Sequence, residues 1–359
     1  MVGIVRYLGL VAVSFFLLLS LGHAQGRAAA QPVTSATLAA KKPVFAGACK
    51  TCPWGILGTV TADALKYYGY ETQMCWVCFS SYGPREMADK TKPVVPPGAP
   101  SRRPEYAEPP PDAVPDISAT SETNLINAWN GQGDYAKDNK QRRNYRVVAV
   151  VRSLTYMLAA ANKKSGITSL DQIKDRTQPT WIVVNGGNGD VDIILDHYGI
   201  SEEALKAKGG GFVEGRDREK RAAADVFIGT GLMTNVPEQN LWYEVSQLDD
   251  LVFLDFEQPV IAQLSERPGW ERGTVALGFF RGVDRPIPTA MRTKHFIYVR
   301  DETPDDFAYT VAKALDEHRL LFQAQIMPWY YDSQTVADSK VIPMHPGAMK
   351  YYRERGYVK

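Results

Sequence analysis

The 359-residue sequence has almost no excess charge, only five histidines and only four cysteines. Lys and Arg number 41 and Asp and Glu number 40, so a net charge of +1 gives no reason to expect nucleic-acid binding. No G-x-S-x-G, HExxH or Walker motif is present, and the scattered histidines do not suggest a catalytic triad. These absences favour a binding protein over an enzyme, and we expect no cofactor and no resident metal.

The N-terminus is the one strongly apolar stretch of the chain. Arg6 precedes an apolar run over residues 8–21, and Gly22-His23-Ala24 follows it. This pattern predicts a secretory signal over residues 1–24, cleaved after Ala24, and a periplasmic mature protein. A membrane anchor is the less favoured alternative, because the run is shorter than the roughly 20 residues that a membrane span needs. Residues 25–42 predict a disordered leader.

Strand and helix patterns alternate along the rest of the chain. Apolar runs at residues 71–79, 146–152, 155–161 and 225–228 predict strands, and an apolar stripe over residues 303–323 predicts a long helix. This alternation predicts an α/β fold with mainly parallel sheets. Residues 92–115 hold many prolines and predict an extended surface insertion, with partner binding as a less favoured alternative.

The most informative stretch is VNGGNGDVDIILDHYGI, residues 184–200. A strand over residues 181–184 leads into a Gly-rich turn and then a helix that starts at Asp190. Such a turn presents backbone N–H groups, and the helix dipole favours an anion there. An ordinary turn with an Asp cap is the alternative. Because Asp190 would repel an anion, a neutral or hydrogen-bond-donating part of a ligand is also compatible with this turn.

Similar polar turns follow other predicted strands, and ligands of open parallel sheets bind beyond the carboxyl ends of strands. Trp54 suits stacking on a ligand and Arg152 suits a carboxylate; a core position and a surface ion pair are their alternatives. Tyr156 slightly favours the core. The candidate ligand-binding residues are Thr51, Trp54, Gly55, Ser80, Ser81, Thr120, Arg152, Tyr156, Asn185, Gly186, Gly187, Asn188, Gly189, Asp190, Gly229 and Thr230.

The four cysteines form two CxxC pairs, Cys49 with Cys52 and Cys75 with Cys78. Their spacing fits a zinc ribbon, but in an exported chain disulfides are favoured, with a zinc site and a working dithiol as alternatives. A bridge within Cys75-x-x-Cys78 would strain a strand, whose alternate side chains point to opposite faces. We therefore expect bridges between the two pairs.

The C-terminal run MHPGAMKYYRERG, residues 344–356, resembles the closing signature of the TAXI-type solute-binding proteins of TRAP transporters. The matching residues are Pro343, His345, Pro346, Gly347, Ala348, Tyr351, Tyr352 and Gly356. Weaker matches follow in family order at residues 165–173, at 185–192, where the family has its ligand turn, and at 224–237. The resemblance extends from about residue 43 to the end.

This resemblance implies a type II periplasmic-binding-protein fold with two α/β lobes and a central ligand cleft. Lobe I would comprise residues 43–160 and 297–359, and lobe II residues 161–296. The ligand would be a small carboxylate of the organic acid or amino acid class, passed to TRAP-type permease subunits, and we expect a monomer. The first turn departs from the family's Gly-Thr-rich pattern. An exported metal-binding or dithiol redox protein and a ligand-presenting sensor subunit are the alternatives.

Overall fold

A computed structural model describes residues 34–47, 52–76, 78, 80–93, 111–186, 189–215, 217–232, 236, 240–325 and 330–359. The helices are α1 Ala36–Ala39, α2 Pro53–Lys66, α3 Gly83–Asp89, α4 Glu122–Asn130, α5 Gln172–Asp175, α6 Asp190–His197, α7 Glu202–Ala207, α8 Arg218–Arg221, α9 Leu241–Leu248, α10 Gln258–Ser265, α11 Asp305–Glu317, α12 Leu320–Ala324 and α13 Pro346–Glu354. The strands are β1 Val44–Ala46, β2 Gln73–Met74, β3 Ile117–Ser121, β4 Tyr145–Asn162, β5 Trp181–Asn185, β6 Gly211–Glu214, β7 Val226–Leu232, β8 Leu251–Leu254, β9 Glu271–Val275 and β10 Ile287–Arg300. Within the described ranges, no helix is both long enough and apolar enough to cross a membrane.

The ten strands form one sheet in the order β2-β1-β3-β10-β4-β7-β5-β6, with β8 paired to β4 and β9 paired to β10. The outer pairings, β1 with β2 and β3 and β5 with β6 and β7, are parallel. Every pairing made by β4 or β10 is antiparallel. The prediction of a mainly parallel sheet is therefore wrong for the centre, because two long strands run in opposite directions through it.

Strands β4 and β10 connect the two halves of the sheet. The apolar runs at residues 146–152 and 155–161 predicted two strands, but both belong to the single 18-residue strand β4. Arg292 pairs with Thr155 and Lys294 pairs with Arg152, so the register shifts by one residue between them. Ser153 and Leu154 consequently lie opposite the single residue Thr293. This β-bulge bends the strand pair and changes where nearby side chains point.

Each half of the sheet has hydrophobic clusters on it. One half carries the cluster around Phe45, Val148 and Tyr352 and a second around Tyr145 and Tyr298. The other half carries clusters around Ile194 and around Trp242. Two α/β halves joined by a pair of long antiparallel strands constitute the expected type II binding-protein fold, so the fold class is confirmed. The exact lobe boundaries remain a prediction.

The segment before β1 is ordered, which corrects part of the predicted disordered leader. Helix α1 is capped by Ser35, and Leu38 is buried against the core. Asp116 accepts hydrogen bonds from Ser35 Oγ at 2.8 Å, from Thr37 Oγ1 at 2.6 Å and from the Val44 amide at 3.0 Å. One apolar side chain and two hydroxyl groups thus suffice to hold residues 34–42 on the body. The predicted signal and residues 25–33 lie outside the described residues, as does most of the 92–115 insertion.

The C-terminal signature has a structural role. His345 caps α13, since its Nδ1 accepts a hydrogen bond from the Gly347 amide at 3.2 Å while Nε2 lies 3.0 Å from the Thr303 carbonyl. Tyr352 donates to the carbonyl of Val148 in β4 at 3.0 Å, and Tyr351 donates to the buried carboxylate of Asp316 at 2.6 Å. These bonds hold α13 against α11 and the sheet.

Candidate functional site

Three predicted site residues meet at the ends of β5 and β7. Asn185 pairs with Gly229, and its Nδ2 donates a hydrogen bond to the Thr230 carbonyl at 3.3 Å. A Cβ atom added to Gly229 would overlap the carbonyl oxygen of Asn185. Glycine is required here because the two backbones approach so closely. The structure therefore brings Asn185, Gly229 and Thr230 together, as the sequence predicted.

The start of α6 places Asp190 inside the protein. Gly186 and Gly189 are exposed, Asp190 is 0% exposed, and Gly187 and Asn188 lie outside the described residues. The Asp190 Oδ1 atom lies 2.8 Å from Arg267 Nε. Burial raises the pKa of the Asp190 carboxyl, and the positive charges of Arg292 and Arg267 act against that rise. The charge of Asp190 is thus compensated by arginine and is not directed at a ligand in the turn.

Arg292 leaves β10 immediately before the bulge. Its guanidinium carbon lies 4.7 Å from the ring centroid of Trp270, an arrangement that favours cation–π attraction. Its Nε is buried without a hydrogen-bond partner, and among the described residues no carboxylate forms an ion pair with it. Burial lowers the pKa of Arg292, but an arginine remains charged at physiological pH. An unbalanced positive charge therefore lies between the halves.

His295, three residues farther along β10, faces Trp54 of α2. The two ring centroids are 4.6 Å apart, and the ring of Tyr330 is 5.8 Å from that of His295. His295 is 5% exposed, and its Nδ1 is buried without a partner. Burial, together with the charge of Arg292, lowers the pKa of His295 to about 3. The imidazole is neutral at physiological pH and adds no charge to that of Arg292.

The start of α4 lies beside the loop that precedes β9. His295 pairs with Ser121, the residue whose Oγ caps α4 by accepting a bond from the Asn124 amide at 3.2 Å. Thr123 Oγ1 donates to the Pro268 carbonyl at 2.7 Å. The predicted site residue Thr120 is buried in β3, where its Oγ1 accepts a hydrogen bond from Asn124 Nδ2 at 3.3 Å. Residues from both halves therefore lie close to β10 at this point.

The other predicted ligand residues have protein partners. Arg152 is half-exposed, and its Nη1 lies 3.6 Å from Asp332 Oδ2, which fits the surface ion pair considered as its alternative. Tyr156 is buried, with its ring 5.0 Å from that of Phe279, which fits a core position.

Gly55 is buried in the first turn of α2. The Ser81 carbonyl accepts a bond from the Tyr135 hydroxyl at 2.7 Å, and Ser80 is half-buried. Thr51 lies outside the described residues.

Cys75 and Cys78 form a disulfide with each other, with their Cα atoms 5.5 Å apart. The prediction of bridges between the two CxxC pairs is wrong for these residues. The predicted strand over 71–79 is also too long, because β2 ends at Met74 and the chain then turns, which brings the two side chains together. Cys52 is also disulfide-bonded, and Cys49 lies outside the described residues. In the described part of the chain, no cluster of three His, Cys, Asp or Glu residues is arranged to hold a metal.

Four residues of this region were not predicted from the sequence: Arg267, Trp270, Arg292 and His295. The sequence does contain one signal, because Arg292, Lys294 and His295 interrupt a strand that is otherwise buried at its C-terminal end. Polar side chains in a central strand require partners, and such a run indicates a bound polar group or an ion-pair network. Trp270 and Arg267 lie in a loop with no local pattern that connects them to β10.

The NMT1-like family model matches residues 115–356. Among solved structures, one described as a periplasmic transporter is 12% identical, with 88% of this chain and 93% of that chain covered and a TM-score of 0.41. MatC from Rhodopseudomonas palustris with bound malate is 11% identical, with coverages of 80% and 88% and a TM-score of 0.41. A binding protein component of an ABC phosphonate transporter from Pseudomonas aeruginosa is 11% identical, with coverages of 82% and 84% and a TM-score of 0.40. Similarities this low identify neither a ligand nor a transport partner.

Proposed function

This chain belongs to the NMT1-like family, and from that premise we propose that it is an exported solute-binding protein. It captures a small polar ligand between the two halves of the sheet and delivers it to a membrane permease. The protein performs no chemistry on the ligand. Its work is to bind, to close and to present the closed form to a partner.

The observation that carries this proposal is the position of β10. This strand brings His295 next to Trp54 of one half, and it brings Arg292 next to Trp270 of the other. A ligand that contacts both groups is held by both halves at once, so binding favours the closed arrangement. Closure excludes water, and each hydrogen bond to the ligand then acts in a medium of lower dielectric constant.

The proposed ligand is a carboxylate of the organic acid or amino acid class. The unbalanced charge of Arg292 supports an anionic ligand, and the polar backbone at Asn185 and Thr230 supports one with further hydrogen-bonding groups. Trp54 and the exposed Gly186 are proposed to contact the same ligand. The buried Asp190 supports the site indirectly through its ion pair with Arg267.

The proposed partner is a TRAP-type permease, and the residues that support it are those of the C-terminal signature. A sensor that presents its ligand to a receptor would use the same capture step. Deleting the gene and measuring uptake of an identified ligand separates the two, because only a transport component is needed for uptake. The metal-binding and dithiol alternatives are not supported for Cys75 and Cys78, which are buried and joined to each other.

A thermal-shift screen tests the proposal. The mature protein would be mixed with carboxylates, amino acids and aromatic acids, and a ligand at 100 times its Kd is expected to stabilise the folded state by about 2.7 kcal/mol. Isothermal titration would then give the affinity and stoichiometry. If no compound raises Tm and native mass spectrometry finds no bound small molecule, the solute-binding proposal is wrong.

A further inference from the structure

We propose that Arg292 is the residue that binds the ligand's carboxylate, and that the ligand carries one such group and not two. This inference rests on the proposed function, since it concerns the same site. It assigns a specificity-determining role to a residue outside the predicted ligand turns, and it selects monocarboxylates over the 2-oxo diacids and glutamate suggested by the family resemblance.

The first reason is the balance of charge around Arg292. Three charged groups interact here: the guanidiniums of Arg292 and Arg267 and the carboxylate of Asp190. Asp190 lies 2.8 Å from Arg267 and is paired with it, whereas Arg292 forms no ion pair with any described residue. The sum is a single unbalanced positive charge. A buried charge without a partner is costly, and an incoming anion removes that cost.

The second reason is the geometry of the guanidinium. The Trp270 ring covers one side of Arg292, which restricts the plane in which its N–H groups can donate. The buried Nε has no acceptor within the described protein. A carboxylate in that plane would accept two parallel hydrogen bonds, which a phosphate or sulfate also does but a neutral amide does not. The adjoining bulge fixes the direction of the side chain.

The third reason is that no second cation near Arg292 is available for a second carboxylate. Lys294 Nζ is 2.8 Å from the Asp338 carboxylate and also 3.1 Å from the Asp338 carbonyl oxygen. His295 is neutral and faces Trp54. Glu122, whose pKa burial raises, lies near Lys294 and Glu271, so any charge that it carries is negative. Beyond Arg292 a ligand therefore meets an aromatic and weakly acidic wall, which disfavours a second negative group.

Matched probes test this directly on the mature protein. Isothermal titration and thermal shift would compare butanoate with glutarate and butanamide, benzoate with terephthalate and benzamide, and pyruvate with oxaloacetate. The variants are Arg292→Met, Arg292→Lys and the control Arg285→Gln. Arg285 forms an exposed bidentate pair with Asp255 at 2.8 Å, so its loss removes an equal charge elsewhere. Circular dichroism and ligand-free Tm check that each variant is folded.

The expected result is that at least one monocarboxylate binds more tightly than its diacid and its amide. Arg292→Met is expected to weaken that binding about 30-fold or more, Arg292→Lys less, and Arg285→Gln not at all. If Arg292→Met fails to fold, the Arg292→Lys series and the wild-type preference between acid and diacid decide.

Two outcomes overturn the inference and leave solute binding intact: tighter binding of the diacids, or an unchanged Kd in Arg292→Met. If no probe binds, native mass spectrometry of the purified protein identifies any retained compound. A retained monocarboxylate supports the inference, and a retained diacid or neutral compound overturns it. If no probe binds and no compound is retained, the inference and the proposed function both fail.

Discussion

Thr123 donates a hydrogen bond from Oγ1 to the carbonyl oxygen of Pro268, at 2.7 Å and across 145 residues of sequence. The bond joins the first turn of α4 to the loop before β9, so it links the two halves of the sheet away from the crossing strands. Gly269 allows this approach, because a Cβ atom there would lie 2.8 Å from Thr123 Oγ1. The bond stabilises the arrangement in which Trp54 and Arg292 both face His295.

Thr123→Val removes the hydroxyl donor and keeps the shape of the side chain. Loss of one neutral hydrogen bond costs about 1 kcal/mol, so we expect ligand affinity to fall about fivefold and the ligand-free protein to populate a more open form. Small-angle X-ray scattering and titration measure the two effects. Thr310→Val is the control, since its bond to the Asp306 carbonyl lies within α11. Identical scattering and Kd in the Thr123 variant and the wild type would remove the coupling role.

His295 makes the protein sensitive to acid. Its folded-state pKa of about 3 lies below the ordinary value of 6.5, because burial and Arg292 disfavour the charged ring. A depressed pKa contributes stability that is present above pH 6.5 and is lost as the pH falls toward 3. We expect the wild type to lose up to about 1.4 kcal/mol of unfolding free energy per pH unit from this residue in that range.

His295→Gln should therefore show a shallower loss of stability on acidification, measured by urea unfolding at several pH values. His318→Gln, at a ring stacked on Tyr67, is the matched control and should follow the wild-type curve. Parallel slopes for His295→Gln and wild type would show that the imidazole does not titrate between the two states.

Asp316 anchors the C-terminal segment. Its buried carboxylate accepts hydrogen bonds from Tyr351 at 2.6 Å, Tyr357 at 3.0 Å and Arg355 Nε at 3.2 Å. Asp316→Asn removes the charge and turns one acceptor into a donor, so we expect a loss of about 3 kcal/mol. Glu354→Gln, which changes only the exposed bond from Tyr309 at 2.6 Å, should cost less than about 0.5 kcal/mol. Chemical denaturation measures both, and equal losses would contradict an anchoring role.

The Cys75–Cys78 disulfide closes a loop of four residues. Non-reducing peptide mapping should yield a fragment in which these two cysteines are joined to each other. Replacing both by alanine should lower stability by about 2 kcal/mol, the loop-closure entropy of so short a loop. A fragment that joins Cys75 or Cys78 to Cys49 or Cys52 would contradict the connectivity.

Local features of the fold could be predicted from the sequence, but the pairing of distant strands could not. The turn from β5 into α6 and the apolar stripe of α11 follow from residue spacing, although the predicted helix over 303–323 is divided into α11 and α12. The register between β4 and β10 joins segments far apart in sequence, and no local pattern specifies it. Ser153 and Leu154 are unremarkable in sequence, yet the bulge they form gives the strand pair its bend.

The site was predicted only in part, for a similar reason. Asn185, Gly229 and Thr230 were found because Gly-rich turns after strands mark places where backbone groups are open to a ligand. Arg292 was missed because its significance lies in what it lacks, an acidic partner, and partners are fixed by tertiary structure. Tyr156 shows the reverse case, since a tyrosine near the expected crossing packs against Phe279.

The bulge in β4 also decides how the two halves can be exchanged between related proteins. A shift of one residue in a strand turns every following side chain to the opposite face. The extra residue at Ser153 and Leu154 therefore lets each half keep its own inside-outside alternation while sharing one continuous backbone. Chimeras joined within the bulge can retain both alternations, whereas a junction that deletes one of its residues reverses the facing of an entire half.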